Sequence, residues 1–164
     1  RIYTDENKIV GFVGRNHSSR QPKWWFNPKA FRKDLTLFGI NIAKDKIRET
    51  GVAVLVEGQL DCVKLHEFDV SNAVGIFGNL LSAGQISVLI KYGAKALVLL
   101  LDPDKGGATG VSAITNVASR YFQINDLSSL LASDPDEIAK QYFDEKILPE
   151  IRNIETNIQK RYNP

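Results

Sequence analysis

Val52-Ala53-Val54-Leu55-Val56-Glu57-Gly58-Gln59-Leu60-Asp61 is the stretch that decides the fold. Five consecutive apolar residues without alternation predict a short strand buried on both faces, as in a parallel sheet covered by helices. The run stops at a glutamate, so a carboxylate stands at the strand's carboxyl end. Downstream the pattern repeats. Leu60, Val63 and Phe68 predict a helix, Ala73-Val74-Gly75-Ile76 a second strand, and residues 82–92 another helix. Ala96-Leu97-Val98-Leu99-Leu100-Leu101 predicts a third buried strand, which runs into Asp102-Pro103-Asp104. Val111, Ile114, Ala118 and Tyr121 recur at helical spacing. Alternating buried strands and helices predict an α/β fold with a mainly parallel sheet flanked by helices.

Upstream the texture differs. Residues 40–50 predict a helix that ends at Gly51, a suitable C-cap. Residues 1–16 predict a hairpin turning at Asp5-Glu6-Asn7. Residues 14–34 hold Arg15, Arg20, Lys23, Lys29, Arg32 and Lys33 against one acid, Asp34, with Trp24, Trp25, Phe26 and Phe31 interleaved. Pro22 and Pro28 break the segment, which reads as an ordered loop rather than a regular element. Its aromatics either stack on bases or fasten the loop to the body. The sheet is thus preceded by a small basic β-rich and loop segment.

The formal charge of +2 conceals an asymmetry. Residues 1–50 carry 11 Lys/Arg against 5 Asp/Glu, and residues 51–164 carry 10 against 14. A basic front and an acidic rear point to an anionic partner and to carboxylates that hold a cation. One cysteine, Cys62, excludes a disulfide framework and fits a reducing compartment. Two histidines and one cysteine are too few for a structural zinc site. No apolar run reaches the roughly 18 residues of a membrane span. Arg at position 1 and the lack of any Met suggest a piece of a longer chain.

In parallel sheets chemistry gathers at the carboxyl ends of strands. Asp102 and Asp104, two apart beyond a buried strand, would repel each other unless a cation lay between them. Hard divalent ions take such oxygen ligands together with phosphate oxygens. Glu57 offers a third ligand or a general base. Asp134-Pro135-Asp136-Glu137 reads first as a helix start, with Asp134 capping and Pro135 in the first turn, while Asp136 is left to point outward. No phosphate-binding glycine-lysine loop and no Ser/His/Asp triad occur.

Val56-Glu57-Gly58-Gln59-Leu60-Asp61 and Leu101-Asp102-Pro103-Asp104-Lys105-Gly106-Gly107 resemble the two acidic segments of the TOPRIM domain. That metal-binding module is shared by DnaG-type primases, topoisomerases and some nucleases. The front half is similar to DnaG-type primases in particular, through Ile9-Val10-Gly11-Phe12-Val13-Gly14-Arg15, Pro22-Lys23-Trp24-Trp25-Phe26-Asn27-Pro28 and Phe31-Arg32-Lys33-Asp34 with Leu37-Phe38-Gly39-Ile40. Asp134-Pro135-Asp136-Glu137 matches the acidic segment that follows the core in that family. The resemblance covers roughly residues 1–145 and divides the chain. Residues 1–50 would close the basic N-terminal subdomain, 51–133 form the TOPRIM domain, and 134–164 a helical segment and tail.

The resemblance implies a nucleotidyltransferase that makes RNA primers on a single-stranded DNA template from ribonucleoside triphosphates. It implies catalytic roles for Glu57, Asp102 and Asp104, and a Mg²⁺ or Mn²⁺ site built by these with Asp134 and Asp136. Asp61 would support that site from behind. Arg15, Lys23, Asn27 and Lys33 would hold nucleotide and template, Asn27 with a spacing that differs by one residue. A replicative helicase would be met through regions outside this chain, in the bacterial cytoplasm. The chain departs from the family where Ala108 replaces an arginine and Asp34 a glycine, as in a divergent phage or plasmid member. The other readings are a TOPRIM-type metal-dependent nuclease and a non-catalytic nucleic-acid-binding remnant.

Overall fold

The computed structural model describes residues 1–14 and 31–162, and residues 24–26 by their backbone alone. A three-stranded antiparallel sheet comes first, in the order β1 (Ile2–Tyr3), β2 (Ile9–Gly14), β3 (Trp24–Phe26). The hairpin predicted for the first sixteen residues is β1–β2. The third strand corrects the reading of the basic segment as wholly irregular, because Phe12, Val13 and Gly14 pair with Phe26, Trp25 and Trp24. Three aromatic residues in succession have high strand propensity.

Helix α1 (Ile40–Thr50) leads into a four-stranded parallel sheet ordered β5-β4-β6-β7. Its strands are β4 (Val52–Val56), β5 (Ala73–Gly75), β6 (Ala96–Leu99) and β7 (Gln123–Asp126). The connecting helices are α2 (Gln59–Glu67), α3 (Ala83–Lys91) and α4 (Lys105–Ala118). Helices α5 (Lys140–Lys146) and α6 (Leu148–Tyr162) follow β7. Gly51 ends α1 in the left-handed region, with φ 72° and its amide on Ile47 O. The glycine stop anticipated there is thus present.

The central strands β4 and β6 are completely buried, so the sheet divides the core in two. One cluster joins Ala53, Leu55, Leu97 and Leu99 to residues of α1, α3 and α4. The other joins Val52, Val54, Val56 and Val98 to α2, α5 and α6 through Leu65, Phe143, Ile151 and Ile158. Each large side chain so enclosed contributes about 1.5–3 kcal/mol of hydrophobic stabilisation.

The helix predicted from Leu60, Val63 and Phe68 is α2. Leu60 and Val63 are exposed, and the helix buries Gln59, Asp61, Cys62 and Leu65 instead. Its inner face looks onto a polar strand end, so a carboxylate and an amide are the residues that satisfy it. Tyr121 is also exposed, because α4 ends at Ala118 before the helical stripe reaches it.

The small sheet is fastened to the large one through the β1–β2 turn. Asp5 Oδ2 accepts hydrogen bonds from Lys91 Nζ at 2.6 Å and Tyr92 Oη at 2.7 Å, and Lys44 Nζ donates to Asp5 O. These bonds, the Lys91 one foremost, hold the Asp5 carboxyl below its ordinary range. The basic front of the chain therefore has a defined orientation toward the acidic rear.

Candidate metal and nucleotide site

β4 and β6 pair in parallel with Leu55 opposite Leu99, and Leu100 N donates to Leu55 O at 3.0 Å. Glu57 and Asp102, just past the strand ends, therefore emerge side by side. The chain beyond β5 closes the floor, with Ile76 N on Val56 O and Gly78 N on Glu57 O. Between them Phe77 takes φ 63°, a left-handed conformation unusual for a bulky residue, and stacks edge-on against Phe31 and Phe38.

Above this floor lies a cleft of about 340 Å³ lined by Glu57, Asp61, Asp102, Asp134 and Asp136. Val13 and Gly14, at the end of β2, form its other wall. The structure thus brings five of the anticipated acids together and sets the end of β2 against them. Asp104 is the exception, because it does not line the cleft. Its Oδ1 accepts the Gly107 amide at 2.8 Å as the N-cap of α4. The capping role foreseen for Asp134 is not taken up: its side chain makes no cap, Pro135–Glu137 is a single 3-10 turn, and α5 starts only at Lys140. That leaves Asp134 exposed at the cleft.

Asp61 is almost fully buried and accepts the Gly58 amide at 2.8 Å. Burial pushes its carboxyl up, the Gly58 amide opposes this, and Asp136 and Asp134 add repulsion. Burial likewise raises Glu57, with Asp104, Asp61 and Asp134 adding to it. Asp102 is pushed up to about 7, first by burial and then by Glu57, Asp61 and Asp134.

Two oxygens here are buried without a hydrogen-bond partner, Glu57 Oε1 and Asp102 Oδ1. Orphaned carboxylate oxygens at a shared strand edge are what a hard cation would satisfy. Among the described residues no three Asp, Glu, His or Cys side chains converge closely enough to cage an ion. The donor set therefore fits an ion held by one or two carboxylates, with phosphate and water completing its shell, which is the habit of Mg²⁺.

Of the anticipated nucleotide- and template-binding residues, Arg15, Lys23 and Asn27 lie outside the described residues. Lys33 is exposed, and its Nζ lies 3.6 Å from the point where a Cβ on Gly78 would stand, at the cleft rim. The sequence reading missed Phe77 and Gly78 as cleft floor and Gln85 beneath them. Of these, Gln85 had a legible signal, since Ser82-Ala83-Gly84-Gln85 is a capping-box pattern.

A family model described as Toprim-like matches residues 54–139. The DNA primase of Clostridium acetobutylicum is 30% identical over 166 residues, covering 99% of this chain and 27% of the relative. The DNA primase of Aquifex aeolicus is 32% identical over 149 residues, covering 89% of this chain and 30% of the relative. The crystal structure of the Aquifex aeolicus primase zinc-binding and RNA polymerase domains superimposes with a TM-score of 0.76 at 29% identity, covering 95% of this chain and 38% of that one. The chain thus spans less than a third of the length of these curated relatives. With a parallel sheet, an acidic cleft at its carboxyl edge and a matching family model, the chain, similar over most of its length to part of bacterial DNA primases, belongs to the Toprim-like family.

Proposed function

We propose that this chain carries the metal and nucleotide centre of a DNA primase core, which joins ribonucleotides on single-stranded DNA. The observation that carries the reading is the pair of orphaned oxygens, Glu57 Oε1 and Asp102 Oδ1, at adjacent strand ends in a cleft lined by further acids. Glu57 and Asp102 would hold Mg²⁺ or Mn²⁺. Asp134 and Asp136, which line the same cleft, would bind the waters of that ion or a second one. When bound, a divalent ion would lower the charge cost at the attacking and leaving oxygens.

In the reaction, a primer 3′-oxygen forms a bond to the α-phosphorus of a ribonucleoside triphosphate, and the bond from that phosphorus to pyrophosphate breaks. Lys33 at the rim supplies a cation for the triphosphate oxygens. Asp61 keeps the Gly58 turn, and with it Glu57, in place. The remaining anticipated template contacts, Arg15, Lys23 and Asn27, would follow the DNA backbone.

Incubating the chain with Mn²⁺, labelled single-stranded DNA and ribonucleotides tests this directly. Ribonucleotide-dependent product longer than a dinucleotide is expected. Cleavage of the DNA without synthesis would reverse the assignment in favour of a nuclease, and template binding without saturable metal binding would leave a non-catalytic module.

The raised Asp102 carboxyl has a pH consequence. In the unfolded chain it titrates near the ordinary aspartate value, and in the fold at about 7. The folded state therefore holds the proton more tightly, and this group's stabilising contribution, full below pH 4, is lost as pH rises through 7. Mg²⁺ competes with that proton. The melting temperature of the metal-free chain is expected to fall from pH 5 to pH 8 relative to Asp102→Asn, and Mg²⁺ is expected to restore more of it at pH 8 than at pH 5. Equal Mg²⁺ stabilisation at both pH values, by scanning calorimetry, would refute the coupling.

A further inference from the structure

We infer that Gln85 is the positioning residue that holds Lys33 over the cleft. Lys33 sits in one turn of 3-10 helix, Lys33–Leu35, a unit too short to keep its own orientation. Arg32 beside it is committed elsewhere, because its guanidinium grips Asp34 in a bidentate pair at 2.8 and 2.6 Å. Among the described residues no carboxylate pairs with Lys33. It is therefore the cation that this turn presents to the rim at Gly78.

The turn is seated on the start of α3. Gln85 is 2% exposed, and its Nε2 donates toward three carbonyls: Lys33 O at 3.3 Å, Thr36 O at 3.0 Å and Ile76 O at 3.1 Å. The first two belong to the turn. The third lies two residues before Gly78, on the cleft floor. One amide group thus ties the backbone of Lys33 to the strand end over which its ammonium must reach. The other end of the same side chain is fixed too, since Gln85 Oε1 accepts the Ser82 amide at 3.0 Å and Gln85 N donates to Ser82 Oγ at 3.1 Å. Ser82 Oγ in turn donates to Asp34 O at 2.5 Å.

Gly84 completes the seat. A Cβ there would overlap Asp34 O and Leu35 Cδ2, so the turn can lie this close only over a glycine. Amide, hydroxyl and missing side chain all act on the turn's backbone and leave the Lys33 side chain free to meet an anion. A capping helper would need only the Ser82 bonds. The three-carbonyl clasp has no role in the helix start, and it is the part that points to positioning.

The inference rests on the reading of the cleft as a nucleotide site, and its test separates the two. Binding of ATP with Mg²⁺ to the 164-residue chain is measured by titration calorimetry. Lys33→Ala is expected to weaken ATP about tenfold, the loss of one charge-assisted contact. Gln85→Leu is expected to do the same, as is Gly84→Ala, which displaces the turn while improving helix propensity. The double variant Lys33→Ala/Gln85→Leu should bind no more weakly than Lys33→Ala alone, because a clasp has nothing left to position. Mn²⁺ binding at Glu57 and Asp102 should stay unchanged in all four and serves as the control for folding. Wild-type affinity in Gln85→Leu and Gly84→Ala, additive losses in the double variant, or no ATP binding by the parent chain would each overturn the inference. If Gln85→Leu does not fold, Gly84→Ala decides alone. A parent chain that binds ATP but makes no primer would sink the primase reading and leave the coupling between Lys33 and Gln85 intact.

Discussion

Asp102→Asn is expected to abolish saturable Mn²⁺ binding and to lower templated primer synthesis about 10³-fold or more, the scale of losing a principal electrostatic element of a phosphoryl-transfer site. The same change should raise the melting temperature of the metal-free protein. Asparagine keeps the shape and removes the charge, and that charge is penalised by burial and by Glu57, Asp61 and Asp134. Loss of activity with gain of stability is the signature of a carboxylate kept for its ligand rather than for the fold. Asp104→Asn provides the contrast. Asparagine caps helices as well as aspartate does, and Asp104 does not line the cleft, so metal affinity and stability should both change little. Calorimetry and a primer-extension gel read all of these. A fully active Asp102→Asn variant would remove the residue from the metal site.

Gly107→Ala should be the most damaging single methyl in the protein. In an ordinary helix the substitution stabilises by about 1 kcal/mol. Here Gly107 is in the first turn of α4, and an added Cβ would overlap the carbonyl oxygen of Asp102. Backbone cannot yield as a side chain can, so either the helix start or the strand end must move. Moving the helix breaks the Asp104 cap on Gly107 N, and moving the strand end shifts Asp102 from Glu57. The expected result is destabilisation of about 3 kcal/mol or more, with Mn²⁺ affinity lost even in the folded fraction. Urea unfolding alongside metal titration measures both. Ala at Gly93 is the comparison for backbone strain alone, because Gly93 has φ 80° and no neighbour within 4 Å of an added Cβ.

The parts of the fold that could be read in advance were those where one physical rule acts without competition. The runs 52–56 and 96–101 are apolar because they are enclosed from both sides, and Gly51 stops α1 because a left-handed residue is needed there. Glu57 and Asp102 were legible for the same reason, since acids directly beyond buried strands stand out against their neighbours. β7 escaped notice because an edge strand of sequence Gln123-Ile124-Asn125-Asp126 is half exposed and shows no apolar run. Leu60 and Val63 marked α2 as a helix yet are exposed, because helical spacing says which residues share a face, not whether that face meets a core or a polar cleft. Asp134 reads as a helix cap and makes none, whereas Asp104 caps α4. Either could cap a helix by local pattern, and the choice was settled by where α4 and α5 begin. The capping box made Gln85 legible as a helix start, but its clasp on positions 33, 36 and 76 lay beyond reach, a meeting only the tertiary fold creates.

β4 and β6 are the inner strands of the parallel sheet, and this has a consequence for how the centre moves. The peptide groups that set the spacing of Glu57 and Asp102 have neighbours on both sides and share in the most protected cooperative unit of the protein, so their amide protons should exchange last with heavy water. The turn at 33–35 is tied to the start of α3 through Gln85 and Ser82, not to the strands. The centre is therefore an anvil: the pair of carboxylates stays in register until the whole domain unfolds.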